Sequence, residues 1–561
     1  MKNKEVADIL DEIADYLEMQ DVKWKPQAYR KAARNVENLS ESVEELHEEE
    51  QLQDLDGVGE NIAEKIIEYL ETGKLEYLQE LKQDIPVDIE ALTAVEGLGP
   101  RKVKEIYEAR KVTDLDELEE AAESGEIADI EGFGEKTEEN ILKHIEIARR
   151  GQDRMLLGKA YPIAEELRSG LEKSDNFDRV KFVGSFRRKR PTVGDIDVLA
   201  TSNNPGEAME EFAGREDVIE VLGSGQTKSS ILISGDLQVD LRIVSETSFG
   251  AALQYFTGSK DHNVGLRTLA VEKGLKLNEY GLFDSEENKL AGETENSVYS
   301  NLQLDFIEPE LRERTGEIEA AAKGKIPDLV EKEDIKGDLQ MHTDYSDGKA
   351  SMREMAEKAE SSGLEYILIT DHVKALDIAD GIDEKALIKQ AERIDELNEE
   401  LEIEILKGIE ANITGEGLDI SRDKLKELDI VLASLHGRIN SPTEKIIKVF
   451  RDYPVDIFAH PLNRKINSRK GLDIDLDKII KVAAEEKIAL EINSQPERLD
   501  LPWREIKEYR EDVKFVVSTD AHSASELSYM HLGVAQARRG WCSKEEVLNT
   551  RPLEGLRSYF E

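Results

Sequence analysis

From Gly194 to Ala200 the chain reads Gly-Asp-Ile-Asp-Val-Leu-Ala, and few stretches restrict a fold as tightly. Side chains of a strand alternate between faces, so Asp195 and Asp197 share one face while Ile196, Val198 and Ala200 share the other, which must be buried. The stretch is therefore a strand with a core on one side and two converging carboxylates on the other. Left alone, the two acids repel and raise each other's pKa; a hard divalent cation relieves this and accepts oxygen ligands, so Mg²⁺ is the expected partner. Upstream, Gly184-Ser185 follows a short apolar strand, where bare backbone and a hydroxyl can approach phosphate oxygens, and Arg187, Arg188, Lys189 and Arg190 add positive charge. A third carboxylate comes from residues 237–244: Val239, Leu241 and Ile243 form a buried face, and Asp240 shares the opposite face with Arg242.

A chain of 561 residues is long enough for about four domains. Cys542 is its one cysteine, which excludes a disulfide framework and points to a reducing cytoplasm. The opening MKNKEVADILDEIADYL is an acidic amphipathic helix without an apolar signal core, and no apolar run approaches the ~18 residues of a membrane span, so no membrane partner is expected. A formal net charge of −47 argues, taken alone, against nucleic acid, because affinity for phosphates comes largely from cations. The acids are nevertheless spread through helical stretches such as 41–50 and 114–126, as on a solvated surface. The expectation is adaptation to a salty cytosol, with binding shifted from long-range charge to backbone amides and metals.

Residues 1 to about 150 read as helices, with Val6, Leu10, Ile13 and Leu17 at helical spacing. Three Gly-x-Gly turns punctuate them, Gly57-Val-Gly59, Gly97-Leu-Gly99 and Gly132-Phe-Gly134, preceded by Asp56, Glu96 and Glu131. Recurrence at this period fits a helical solenoid. The turn chemistry favours helix-hairpin-helix motifs, in which glycines expose the N–H groups of the next helix's first turn to a phosphate and grip DNA without reading its sequence. Arg101 with Lys102, and Lys136, follow the second and third turns closely.

From Gly337 the periodicity changes. Short apolar strands recur with ligand-type residues at their carboxy ends, in Tyr366-Ile-Leu-Ile-Thr-Asp-His372, Ile430-Val-Leu-Ala-Ser-Leu-His436, Asp456-Ile-Phe-Ala-His460 and Phe515-Val-Val-Ser-Thr-Asp520-Ala-His522. That is the layout of an α/β barrel, whose site lies at the C-terminal ends of its strands. Imidazoles together with Asp347, Glu410 and Asp520 suit Zn²⁺ or Mn²⁺ better than Mg²⁺.

Gly184-Ser185 followed by Gly194-Asp-Ile-Asp197, with Val-Asp240-Leu-Arg on a partner strand, resembles the palm of the family X DNA polymerases, of the polymerase beta type. The resemblance implies attack of a primer 3′-hydroxyl on a deoxynucleotide, with Asp195, Asp197 and Asp240 holding two metals and Gly184, Ser185, Arg187, Arg188 and Gly194 cradling the triphosphate. It implies further that Tyr255-Phe256-Thr-Gly258-Ser259 packs against the deoxyribose, that Asn263 faces the base and that Arg267 meets the template. Trp24-Lys25-Pro-Gln-Ala-Tyr29 with Gly57, Gly59 and Lys65 resembles the family's lyase domain, in which Lys65 would be the Schiff-base lysine and Lys25 and Tyr29 would bind a 5′-phosphate. Gln53 and Asn61 replace lysines of that pattern, so a solvated helix lysine is an equal reading of Lys65.

The motifs around His342, Asp347, His372, Glu410, His436, His460, Asp520 and His522 are similar to the polymerase and histidinol phosphatase, or PHP, family of metal-dependent phosphoesterases, with Gln340 standing where many members have a histidine. Together the resemblances imply a multidomain α+β protein: a lyase-like helix-hairpin-helix domain (1–85), fingers (86–150), a nucleotidyltransferase palm with a mixed sheet (151–260), a thumb (261–318), a linker (319–336) and a PHP barrel (337–561). They imply a monomeric, cytoplasmic, nucleoid-associated repair polymerase acting on gapped or nicked DNA and dNTPs, with a 3′–5′ exonuclease. A PHP phosphoesterase whose polymerase portion only binds DNA, and a DNA-end scaffold, are the alternatives.

Overall fold

The computed structural model describes the chain apart from residues 1–2, 38–42, 49–50, 56, 94, 96, 131, 135, 139, 143–144, 146–153, 235–236, 374–381, 438 and 561, and the side chains of 4, 5, 37, 44, 45, 48, 90 and 384. Asp56, Glu96 and Glu131, the acids expected before the three glycine turns, lie outside the described residues. The chain forms two compact units, Met1–Arg154 and Met155–Glu561.

The first unit is helical around one core that runs from Val6 to Ile145. Its three Gly-x-Gly turns share one geometry. The first glycine of each is left-handed (Gly57 φ 86°, Gly97 φ 87°, Gly132 φ 92°), a conformation that disfavours any Cβ. The middle residue, Val58, Leu98 or Phe133, is buried and anchors the turn, its N–H donating to the carbonyl three residues back at 2.9 to 3.0 Å. The second glycines, Gly59 and Gly99, cap the helices Glu60–Thr72 and Pro100–Arg110 without a capping side chain. Nothing lies within 4 Å of where a Cβ on Gly59, Gly99 or Gly134 would be, so the backbone there is open to approach.

The second unit begins with a short ribbon, β1 (Met155–Leu156) with β3 (Thr192–Val193), and a five-stranded mixed sheet. The sheet contains β2 (Arg179–Phe182), β4 (Asp195–Thr201), β5 (Val218–Ser224), β6 (Lys228–Ile233) and β7 (Leu237–Ile243) in the order β2-β4-β7-β6-β5. Strands β4 and β7 run parallel in a register that sets Asp197 directly against Asp240. A three-stranded antiparallel sheet, β8 (Lys276–Asn278), β9 (Gly281–Phe283) and β10 (Lys289–Ala291), follows the helices Phe249–Thr257 and Lys260–Glu272.

The carboxy-terminal part is a barrel-like sheet of seven parallel strands in sequential order: β11 (Gly337–Met341), β12 (Tyr366–Ile369), β13 (Glu404–Asn412), β14 (Ile430–Ser434), β15 (Ile457–Phe458), β16 (Ala489–Asn493) and β17 (Phe515–Ser518). Bonds from His342 N to Ala521 O (2.8 Å) and Asp520 N to Gln340 O (3.0 Å) draw the last strand back to the first. Strands β11, β12, β14, β16 and β17 are buried along their whole length, which explains why β12, β14 and β17 read as nearly continuous apolar runs and not as alternation.

Residues 319–336, expected as a linker, instead pack into a seam. Val330 is fully buried and its N–H bonds to Cys542 O at 3.0 Å, while Leu329 pairs with Ser543. Beside them three arginines bind acids of residues 310–331. Arg538 bonds to Glu310 (2.9 Å) and Glu331 (2.6 Å), and Arg539 bonds to Glu313 (3.1 Å) and to the backbone oxygen of Arg188 in the palm (2.6 Å). Arg188 in turn bonds to the same Glu313 at 3.2 Å. The palm and the barrel thus meet through the shared Glu313 carboxylate and the Arg539–Arg188 bond, beside an apolar cluster in which Leu499 and Leu532 pack with palm residues.

Candidate functional site

The palm site is built by β4 and β7. Ile196, Val198, Val239 and Leu241 are at most 1% exposed, so their neighbours Asp195, Asp197 and Asp240 all stand on the opposite face. Val183 N donates to Asp197 O at 2.9 Å, fastening the loop before Gly184 to the carboxylate strand. Gly184 has φ 60°, and a Cβ on it would lie 2.2 Å from Asp197 Oδ2. Burial, then the charges of Asp195 and Asp240, push Asp197 up to about 7, with Lys228 and Arg188 opposing. Lys228, which the sequence reading passed over, lies 3.2 Å from Asp240 Oδ2, and Gln238 donates to Asp240 Oδ1 at 2.9 Å. Its signal was available: in antiparallel pairing Lys228 stands opposite Arg242 and next to Asp240's face. Ser185 Oγ is buried with no hydrogen-bond partner. Crowded carboxylates and an unsatisfied hydroxyl beside them fit divalent cations and a phosphate-bearing ligand.

The rest of the expected nucleotide set is arranged differently. Arg187 forms a two-pronged pair with Glu295 (2.7 and 2.9 Å) and also bonds to Thr257 Oγ1, while Arg188 is committed to Glu313 and Thr257 O. Both guanidiniums are neutralised by acids far along the chain and brace Thr257-Gly258 from beneath. Asn263 is 9% exposed and holds Gln254 and the Tyr255 carbonyl, at 2.7 Å each, in place of an open face toward a base. Tyr255 and Phe256 meet edge to face at 5.1 Å and stay half-buried, Ser259 caps the helix Lys260–Glu272, and Arg267 is exposed on it. Gly194 precedes β4.

In the first unit the lyase set is gathered. Lys65 Nζ donates to Asn61 Oδ1 (2.8 Å) and lies over the Tyr77 ring at 4.7 Å, and Tyr29 Oη reaches the same Asn61 oxygen at 3.5 Å. Burial and the charge of Lys25 lower the Lys65 pKa. Trp24, the first residue of the lyase-like segment, is 81% exposed beside Lys25 and carries φ 71°. Arg101 and Lys136 are exposed, while Lys102 Nζ closes onto Gly97 O at 2.8 Å.

The barrel site is tighter. Three groups of ligand atoms gather within 4.8 Å: His342, Asp347, His372 and His522; His372, Glu410 and His436; His342, Glu410 and Asp520. They share His342, His372 and Glu410, so the groups merge into one centre. His460 joins through Glu410 Oε1 at 3.0 Å, the oxygen that also faces His436 at 2.8 Å. The His342 ring stacks on His372 (4.5 Å) and His522 (4.3 Å). Burial works against a charged His522, yet its bond to Asp347 and the charge of Asp520 hold it up at about 9. Asp347 falls to about 2 despite its own burial, and burial pushes His372 and His460 down to about 4. Ring nitrogens of His342, His372 and His460 are buried without a hydrogen bond, a costly arrangement that bound cations resolve. Gln340, fully buried, donates to Glu410 Oε2 at 3.1 Å and leaves its Oε1 without a partner. Glu491 and Asn493 at the end of β16 were missed. Glu491 receives the His460 N–H at 2.6 Å, and Asn493 bridges to Asp520 at 3.0 Å. Both sit at a strand's C-terminal end, the position that marked the other ligands.

Over its whole length the chain aligns with the whole of the DNA polymerase/3′-5′ exonuclease PolX of Bacillus subtilis, at 37% identity. The chain belongs to the family X DNA polymerases that carry a PHP domain. The polymerase beta thumb pattern matches residues 252–313, the helix-hairpin-helix domain 1–75, a SAM-like helix-hairpin-helix tandem 89–146, and the PHP domain 338–456 of this family X chain. DNA polymerase lambda of Rattus norvegicus aligns with 55% of it at 26% identity, covering 56% of that protein. A probable phosphatase of Thermoanaerobacter aligns with 38% of it at 31% identity, covering 89% of that protein. Family membership implies divalent metals, and among the described residues no helix is long and apolar enough to cross a membrane.

Proposed function

We propose that this family X enzyme fills short gaps in DNA during repair from the palm and hydrolyses 3′ ends from the barrel. The observation that carries the reading is the register of β4 and β7, which sets Asp197 against Asp240 with Asp195 on the same face. In the palm, Asp195, Asp197 and Asp240 would hold Mg²⁺, which lowers the pKa of the primer hydroxyl and offsets charge on the leaving pyrophosphate. Ser185 Oγ and the backbone at Gly184 would meet the triphosphate, and Lys228, 3.2 Å from Asp240 Oδ2, balances that carboxylate's charge. Arg187 and Arg188 orient Thr257-Gly258 under the sugar. Asn263 fixes the Tyr255 carbonyl, and with Phe256 this ring edge fills the space where a 2′-hydroxyl would go.

In the barrel, His342, Asp347, His372, Glu410, His436, His460, Asp520 and His522 would hold Mn²⁺ or Zn²⁺, with the Gln340 oxygen as a weak further donor. Asp371 is not among these ligands. It accepts from Thr343 N, Thr343 Oγ1 and Ser346 Oγ and so shapes the loop carrying Asp347. In the first unit the three open glycine turns grip DNA backbones, with Arg101 and Lys136 beside them. Lys25, Tyr29 and Lys65 face a 5′-phosphate, and Trp24 offers a base-stacking surface. Lys65, its pKa lowered chiefly by burial, would be the lyase nucleophile of this set. The functional division at 85, 150, 260, 318 and 336, a monomeric state, and cytoplasmic action at the nucleoid belong to the same reading.

A gapped duplex tests it. The expected result is dNTP-dependent extension in Mg²⁺ and 3′ shortening in Mn²⁺ when dNTPs are withheld, with His372→Ala losing the shortening alone. Extension that disappears with His372→Ala as well would contradict two separate centres.

A further inference from the structure

Beside the barrel centre lies a groove of about 860 Å³, beginning at His436 and walled by Asn440, Asn463, Ser468, Arg469 and Lys470, with Asp473 its one acidic lining residue. That volume is in the range of sites for cofactor-sized ligands. The wall's sequence is unusual for a chain with 122 acidic and 75 basic residues. Between Asp456 and Asp473 there is no acid, while Arg464, Lys465, Arg469 and Lys470 fall within it. The facing wall, between Asp429 and Glu444, also lacks acids. The same pattern marks residues 22–36 and 179–194, the stretches that face a 5′-phosphate and a triphosphate in the reading above.

The cations are not alike. Arg464, half-buried, donates to the carbonyls of Arg498 and Leu499, and Lys465 pairs with Glu497 at 3.2 Å. Arg469, exposed, is held by neutral acceptors: its Nε donates to Asn463 O (3.0 Å) and its Nη2 to Asn463 Oδ1 (2.6 Å). Lys470 is exposed and has no acidic partner among the described residues. Asn463 is the pivot. It is 5% exposed, its Oδ1 also accepts from Arg498 (2.9 Å), its Nδ2 donates to the Leu435 carbonyl (2.7 Å) just before His436, and its N–H donates to His460 O (2.8 Å). A buried amide thus ties the exposed Arg469 guanidinium to the backbone just before His436 and at His460, two expected metal ligands. Ser441 (φ 53°), His460 (φ 28°), Asn463 (φ 46°) and Asn467 (φ 62°) all hold left-handed backbone around the groove, a cost that clusters at ligand sites.

We propose that this groove is a strand-binding subsite: Arg469 and Lys470 take the phosphodiester next along a single-stranded 3′ end from the one hydrolysed at the barrel centre. The inference rests on the exonuclease reading of the barrel and adds to it the preference for a strand over a small ester. Among the described residues neither cation forms an ion pair with an acid, although Asp473 shares the groove wall, and such cations suit a polyanion contact because each neutralised phosphate releases counterions.

The test compares Mn²⁺-dependent hydrolysis of a single-stranded oligodeoxynucleotide with that of bis(p-nitrophenyl) phosphate, which has no second phosphate. In R469A/K470A the oligonucleotide KM should rise about tenfold more than that of the small ester, and the salt dependence of strand binding should weaken by about one phosphate per cation lost. Arg469→Lys, which keeps the charge, should recover part of the loss. An oligonucleotide KM equal to wild type in the double variant overturns the subsite while His372→Ala still abolishes hydrolysis. Equal losses on both substrates mean a structural role and overturn it too. If the double variant fails to fold, Lys470→Ala, on an exposed side chain, decides by the same ratio. Oligonucleotide hydrolysis that survives His372→Ala removes the barrel reading and the subsite together.

Discussion

At the scale of single residues, the palm is organised by contacts that tolerate no extra atom. Gly184 sits with positive φ against Asp197 Oδ2, so Gly184→Ala must displace either the loop or the carboxylate. A shift of about 1 Å in a reacting array costs on the order of a hundredfold in rate, and that loss is expected in single-turnover extension with the fold intact by circular dichroism. Asp197 offers a pH test. Its folded pKa of about 7 lies above its ordinary 3.8, so its contribution to stability is full below about 4 and is lost as pH rises through about 7. The metal-free melting temperature should therefore fall across that window, Asp197→Asn should flatten the fall, and Mg²⁺ should restore stability most on the alkaline side. What could be read from the sequence at this scale was alternation: acids at 195, 197 and 240 among buried residues fixed their shared face. What could not be read was the fate of Arg187, Arg188 and Asn263, because their partners Glu295, Glu313 and the Tyr255 carbonyl are chosen by tertiary packing.

At the scale of elements, the seam joining palm to barrel is the feature least visible in the sequence. Residues 319–336 look like a linker because Ala, Gly and Pro punctuate them, yet the acids before and within the stretch are what the palm and barrel arginines bind. Glu313 lies between Arg188, Arg539 and Arg190, which overcome its burial and bring it down to about 2; Arg539, lowered to about 10 by its own burial, is still charged at neutral pH. For a carboxylate with a depressed pKa the stabilisation is complete above its ordinary value near 4.5 and disappears as pH falls toward 2, on the order of 3 kcal/mol over that interval. Acid unfolding should show it, and Glu313→Gln should be less stable at pH 7 yet lose less on acidification. Removing one partner of a buried pair leaves an uncompensated charge, so Arg539→Ala is expected to cost about 3 to 5 kcal/mol in denaturant unfolding of the second unit. The barrel, by contrast, was largely legible, since the stretches ending at His372, His436, His460 and His522 put ligand-type residues at strand ends; β16, whose Glu491 and Asn493 are flanked by no histidine, was not. The helix-hairpin-helix turns were legible for a similar reason, each pairing a left-handed glycine with a buried middle residue.

At the scale of the whole molecule, an acidic chain with a net charge of −47 handles a polyanion by restricting cations and open backbone to a few places. Binding of gapped DNA should then depend less steeply on salt than for a basic protein of equal footprint, which titrations from low to high KCl would show as a shallow slope. The two centres share one unit but no ligand, so their activities should separate by substitution. The most direct measurement is primer extension on a gapped duplex by Asp195→Ala/Asp197→Ala, with Mn²⁺-dependent 3′ shortening followed in parallel. Extension should be lost and shortening kept; extension at the wild-type rate would mean that the acids on β4 and β7 are not the polymerising site.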